Sequence, residues 1–204
     1  QNHKGGIDRV TNVYDFVGKV LESKTTHNNS SETYTIKRRI EYDHGQRPLK
    51  TWHKVNDKPE VLLSAVEYNA LSEPVVKKLH SADNGVSFKQ HVDYRYSVRG
   101  WLTRINNAGL TPDDVNEPKD LFGMNLSYND VVSGINNTPQ FNGNISAAKY
   151  STNLGLGAQS GDASELGYKF SYDPMNRLTA STHVEKNVSW NISTSYHEDN
   201  LTYN

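Results

Sequence analysis

Tyr172-Asp173-Pro174-Met175-Asn176-Arg177-Leu178 is the stretch that decides how this chain reads. An aspartate can bond its own backbone and a proline presets φ for the second turn position, so the segment predicts a tight turn between two strands. Looser copies recur along the chain. Tyr14-Asp15-Phe16-Val17-Gly18-Lys19-Val20 is one; Tyr42-Asp43 leads to Arg47-Pro48-Leu49, and Tyr68-Asn69 leads to Glu73-Pro74-Val75. Tyr96 leads to Arg99-Gly100-Trp101-Leu102, and Tyr196-His197 followed by Asn200-Leu201 reads as the start of a further copy. Gly18 and Gly100 lie four residues after their tyrosines, where a positive φ is cheap. The copies at Tyr42 and Tyr68 read with one extra residue before Pro-Leu or Pro-Val, which leaves their register open.

The segments that feed these turns alternate with period two, the mark of a half-buried strand. Tyr34, Ile36, Ile40 and Tyr42 share a face interrupted by Arg38; Val92, Tyr94 and Tyr96 share another. Tyr168, Phe170 and Tyr172 repeat the pattern, as do Trp190, Ile192, Thr194 and Tyr196. After the turn the chain returns as a strand in Leu49–Val55 and in Leu178–Val184. Tyrosine-to-tyrosine spacings of 28, 26 and 28 residues, then 24 at the C-terminal end, each hold one hairpin. The expected fold is all-β: antiparallel hairpin repeats forming a stacked or wrapped sheet, which the resemblance given below extends to a curved, spiralling sheet, part of a larger shell. No segment makes a convincing helix; the best candidate, Ser64–Ser72, contains the strand-like Val66-Glu67-Tyr68.

The 76 residues between Tyr96 and Tyr172 break the rhythm. A polar loop runs from Thr111 to Asp120, Phe122–Tyr128 resumes as a short strand, and Gln140–Ile145 carries an Asn-Gly hairpin signal. Ser151–Ala163 reads as a loop. The expected organisation is a hairpin array over 1–110, a loop-rich insertion over 111–165 and further repeats over 166–204.

Composition narrows the function. In 204 residues, 34% hydrophobic with a mean hydropathy of −0.77, twelve tyrosines and three tryptophans still supply large buriable surfaces. That suits sheets with one wet face and argues against disorder, which is poor in aromatics. Twenty-two basic against 23 acidic residues, interspersed, leave no electrostatic footprint for nucleic acid or anionic membrane. The absence of cysteine excludes disulfides and thiolate metal sites. No segment approaches the apolar length of a membrane-spanning helix, and the N-terminus has no signal-peptide core. The chain starts and stops mid-pattern, so it reads as an excised piece, and an exported parent would carry its signal far upstream.

These residues resemble the Rhs (rearrangement hot spot) or YD-repeat family, named for a Tyr-Asp followed by Gly/Asn-Arg-Leu, as in Tyr172-Asp173 with Asn176-Arg177-Leu178. Asp120–Tyr128 and Pro139–Ile145 are similar to the late core of Rhs proteins of Bacteroidetes-type bacteria. Tyr68-Asn69 and Tyr96-Ser97 depart from the pattern in lacking the aspartate. The resemblance implies a sheet that spirals into a hollow shell enclosing a C-terminal toxin or effector, in a secreted or cell-surface bacterial protein. It implies partners in the remainder of that shell and its cargo. The aspartate-based self-cleavage motif of several relatives, Asp-Pro-x-Gly, is missing here; Asp173-Pro174 is followed by Met175-Asn176.

No catalytic, cofactor or metal site is expected. The eight histidines show no paired ligand spacing, and the acidic loop Asp113, Asp114, Glu117 and Asp120 lacks an EF-hand pattern. Glu41 and Asp43 flank Tyr42, where turn and salt-bridge duty outweighs a glycosidase pair. Gly155, Gly157 and Gly161 miss the dinucleotide spacing by one residue. The residues singled out are structural: Tyr14, Asp15, Gly18, Tyr42, Asp43, Tyr68, Tyr96, Gly100, Tyr172, Asp173, Asn176, Arg177, Leu178 and Tyr196. A hydrated array with two cut edges is expected to self-associate through a strand edge or an apolar face. The rival reading is an extracellular carbohydrate-binding or adhesion module, with Trp52, Trp101 and Trp190 as a sugar platform; a hydrolase comes third.

Overall fold

The structure, a computed structural model, describes residues 2, 5–29, 31–111, 119–153, 165–186, 189–193 and 196–203. The acidic residues Asp113, Asp114 and Glu117 and the glycines 155, 157 and 161 lie outside the described residues. The chain divides into two units, Gln1–His91 and Val92–Asn204, so the stretch 111–165 falls inside the second. The protein is all-β, with antiparallel strands that within each unit follow one another in chain order, and no helix among the described residues.

The first unit is a meander of six strands, β1 (Asp8–Tyr14), β2 (Val20–Asn28), β3 (Thr33–Tyr42), β4 (Pro48–Val55), β5 (Val61–Tyr68) and β6 (Pro74–Ser81). The stretch Ser64–Ser72, which made no convincing helix in sequence, is the latter part of strand β5 and the turn after it. Among the described residues of the first unit the buried apolar side chains are Trp52 and the fully buried Leu62. Every residue of the outer strand β1 is exposed.

In the second unit run β7 (Gln90–Tyr96, opening on the last two residues of the first unit), β8 (Leu102–Ile105), β9 (Phe122–Ser127), β10 (Ala147–Thr152), β11 (Glu165–Tyr172), β12 (Leu178–Lys186) and β13 (Trp190–Ile192). Ile135, Ala147 and Val184 form its core, with Val132 and Trp190 packed against them. The long β9–β10 connection is ordered by a buried amide. Asn137 Oδ1 accepts the Val132 amide at 2.7 Å, while its Nδ2 donates to the Asp130 carbonyl and to Ser146 Oγ. This connection corrects the Asn-Gly reading. Asn142-Gly143 makes no two-residue hairpin turn, because only Gly143 has the positive φ that both central residues of such a turn require. Gly123 of the Phe-Gly-Met segment is required for close approach: a Cβ there would stand 1.9 Å from the Asn107 carbonyl oxygen.

Register corrects the sequence reading at a second point. The tyrosines pair directly with the residue six positions on: Tyr14 with Val20, Tyr42 with Pro48, Tyr68 with Pro74, Tyr96 with Leu102 and Tyr172 with Leu178. A register shift just before each tyrosine makes the five turns alike. Nothing extra is inserted in the Tyr42 and Tyr68 copies; Pro48 and Pro74 take the place of Leu178. Proline is tolerated there because it opens its strand beside the bulge.

Candidate functional site

The five turns share one hydrogen-bonding plan. In the Tyr172 copy the Asp173 N–H donates to the Arg177 carbonyl and the Asn176 N–H to the Asp173 carbonyl, both at 2.9 Å. Asp173 Oδ1 accepts the Met175 and Arg177 amides, so one carboxylate oxygen satisfies two donors that the bend leaves without a ladder partner. Asp15, Asn69 and Ser97 make the equivalent pairs of side-chain bonds in their copies, and Asp43 accepts the Arg47 amide. Asparagine and serine therefore substitute for the aspartate, since an acceptor oxygen is all the bend needs. The fifth position of each turn is left-handed: Gly18 at φ 88°, Gln46 at 62°, Ser72 at 68°, Gly100 at 75° and Asn176 at 64°. This is a type I turn closed by a left-handed residue, whose twist matches the flanking strands.

The remaining carboxylate oxygen explains the arginine. Asp173 Oδ2 lies 2.7 Å from Arg177 Nε, and Asp43 Oδ2 lies 2.6 Å from both Nε and Nη2 of Arg47. Backbone and side-chain hydrogen bonds from Arg47 and Arg177 hold these two carboxyls below the usual aspartate range. In the Tyr68 copy the polarity is rearranged: Asn69 Nδ2 donates to Glu73 Oε2 at 2.7 Å.

Each joint then reaches into the next hairpin. Tyr42 donates its hydroxyl to the Val20 carbonyl and Tyr68 to that of Pro48, both at 2.9 Å. Tyr128 donates to Leu102 at 2.8 Å and Tyr203 to Leu178 at 2.6 Å. In all four the acceptor is the first residue after the preceding turn. The residue just before that acceptor covers the same ring: Lys19 over Tyr42 at 4.9 Å, Arg47 over Tyr68 at 4.4 Å and Arg177 over Tyr203 at 5.0 Å. Trp101 fills the role toward Tyr128, ring centroids 5.0 Å apart. Tyr172 completes the series on the Ile145 carbonyl at 2.7 Å, just ahead of β10. Burial raises the hydroxyl pKa of Tyr68, Tyr128 and Tyr172.

Two of these anchors escaped sequence reading. Tyr203, not Tyr196, closes the series after Tyr172. Tyr196 lies outside any strand at φ 62°, 77% exposed, its ring edge-on to His183. Tyr128 follows no Tyr-Asp pattern. The available signal was spacing: Tyr128 and Tyr203 fall 32 and 31 residues after Tyr96 and Tyr172, close to the repeat length. Tyr14 opens the series 55% exposed, its hydroxyl accepting from Asn12 Nδ2.

The other candidates resolve into structure. Glu41 accepts from Arg39 at 2.6 Å and from Trp52 Nε1 at 2.8 Å, while Asp43 serves its turn. Arg39 roofs Trp52 at 4.8 Å and Arg99 roofs Trp101 at 4.9 Å; Lys186 stands 5.9 Å from Trp190. Among the described residues no three His, Asp or Glu gather to hold a metal, and no helix is long and apolar enough to cross a membrane.

No family model and no curated protein matches the chain. Among solved structures it is similar to a mutant Photorhabdus luminescens Tc holotoxin pore, at 14% identity and a TM-score of 0.42, over 92% of this chain and 9% of that one. A TcdB2–TccC3 crystal structure without the hypervariable C-terminal region gives 13% identity and a TM-score of 0.36, over 84% and 11%. A TcdB2–TccC3–Cdc42 structure gives 13% and 0.35, over 88% and 11%. The chain thus spans about a tenth of the length of these neighbours.

Proposed function

We propose that this chain is a non-enzymatic wall segment of an Rhs/YD-repeat shell, part of a longer secreted or surface-linked bacterial protein that encloses a C-terminal toxin or effector. The observation that carries this reading is the joint itself. A tyrosine hydroxyl on the carbonyl after the preceding turn, under that turn's side chain, recurs at Tyr42, Tyr68, Tyr128 and Tyr203. Such a device ties each hairpin to its neighbour and builds an extendable sheet. The acidic and aromatic side chains that could have served catalysis or sugar stacking are engaged in these joints or under cations, which favours a wall over a hydrolase or a glycan platform. The exposed strand β1, with Val10, Val13 and Tyr14 each more than half exposed, supports association through that edge.

The experiment is on the longer parent protein, purified natively and examined by intact mass and limited proteolysis. A C-terminal piece that is cut, retained and protease-protected is the expected result. An uncut C-terminus open to protease, together with tryptophan quenching by polysaccharide, sinks the container reading in favour of adhesion.

A further inference from the structure

We propose that a cationic cleft on the second unit binds an acidic polypeptide segment. Strand register builds it. Arg95 on β7 pairs with Arg104 on β8, Arg104 with Asn125 on β9, and Asn125 with Lys149 on β10. Directly opposed residues share a face, so three cations and one amide stand in a single row across four strands, roughly 14 Å end to end at the usual strand spacing. Like charges set directly opposite one another destabilise a sheet, and Arg95 faces Arg104. These four residues line a cleft of about 750 Å³, with Arg99 from the neighbouring turn and one carboxylate, Asp130.

The concentration of charge runs against its background. Residues 92–204 hold eight Lys and Arg against twelve Asp and Glu, a balance of −4, yet four of the eight cations line this cleft. Arg95 and Arg99 donate to neutral carbonyls, those of Tyr94 and Phe141, each at 3.2 Å. A row of guanidiniums ended by an ammonium complements an extended series of oxyanions.

The lining selects which anion. Trp101 is covered by Arg99 and packed on Tyr128, itself 8% exposed, so no aromatic face is open to stack a sugar or a base. A lone phosphate would engage one arginine and leave most of the volume empty. Asn125, Thr103 and Ser97 make the rest of the lining polar: the Oδ1 of Asn125 holds the Ala108 amide, Thr103 donates to the Arg95 carbonyl and Ser97 serves its turn, which leaves the Asn125 Nδ2 as a donor in the row. A chain bearing several carboxylates satisfies the row, the volume and the polar lining together. The inference stands apart from the shell reading and can fail without it.

Calorimetric titration with octaglutamate, octaglutamine and a heparin hexasaccharide tests it. Octaglutamate is expected to bind and to weaken as salt is raised, whereas octaglutamine gives no heat. R95Q/K149Q should weaken octaglutamate at least roughly tenfold, K169Q should not, and R95K/K149R should restore it. Circular dichroism confirms the fold of each variant; the salt titration of the unaltered protein decides the matter should the double variant unfold. Equal heats for the two peptides, salt-insensitive binding, an unweakened folded R95Q/K149Q, or tighter binding of the hexasaccharide each overturns the proposal.

Discussion

Tyr68 Oη donates to the carbonyl oxygen of Pro48, 2.9 Å away and 20 residues earlier, while Arg47, the residue just before that proline, lies 4.4 Å over the Tyr68 ring. One hairpin thus holds the next by an edge and a face of the same side chain. Removing either contact should be felt by both. Y68F is expected to lower stability by about 1 kcal/mol from a lost hydrogen bond, and R47A by about as much, from the cation–π contact together with the Asp43 ion pair. The double variant should lose less than the sum, since the ring is no longer fixed beneath Arg47 once its hydroxyl bond is gone. Urea midpoints of the four proteins measure this; strict additivity would show that Arg47 and Tyr68 act separately.

At Tyr172 the hydroxyl is partly buried on the Ile145 carbonyl. Y172F should cost about 1 kcal/mol, whereas Y196F should cost nothing measurable, because Tyr196 is 77% exposed and outside the series. Equal losses would return Tyr196 to the repeat.

The turn carboxylate has two duties, and substitution separates them. In D173N the amide oxygen still accepts from the Met175 and Arg177 amides, as Asn69 does in its own copy, and only the Arg177 pair is lost. D173A loses both. The urea midpoint of D173A should fall clearly below that of D173N, which should stay near the parent.

Ser72 occupies a left-handed position at φ 68° that Gly18 and Gly100 occupy without strain. S72G should therefore gain roughly 0.5–1 kcal/mol, relief of the Cβ clash outweighing the added freedom of the unfolded chain. G100V should destabilise, since a β-branched residue resists this conformation. A thermal scan showing S72G below the parent would refute the turn assignment.

Asp43 and Asp173 are held below the usual aspartate range, chiefly by backbone amides of Arg47 and Arg177, and Asp83 is lowered by Ser81 and Ser87. A depressed carboxylate stabilises the fold above its unfolded pKa, about 3.9, and that stability is lost as pH falls through the folded value. Tyr68, Tyr128 and Tyr172 shift upward by burial, so their contribution is lost as pH climbs past about 10. Stability should be flat between these limits and fall outside both; D43N/D173N should make the acid limb shallower, leaving the part that Asp83, Asp8 and Glu41 contribute, and should not move the alkaline limb.

What the sequence by itself determined is local. Alternation of apolar and polar residues ending on a tyrosine specifies strands, and an acceptor side chain followed by a left-handed residue specifies the turn between them. These need only neighbours in the chain, so Tyr14, Tyr42, Tyr68, Tyr96 and Tyr172 were all legible as strand ends. Register was less so: the proline at position 48 or 74 masked a constant six-residue span, because the bulge that absorbs it is a property of two paired strands.

Only the tertiary structure decided which partner each tyrosine meets. Tyr128 and Tyr203 join the series without a motif, because their hydroxyls answer to carbonyls 26 and 25 residues away. Arg95, Arg104 and Lys149 likewise have no pattern along the chain; ladder pairing brings them into one row. Hydrogen bonds and charges act through space, and separations of this kind are written in the fold rather than in the order of residues.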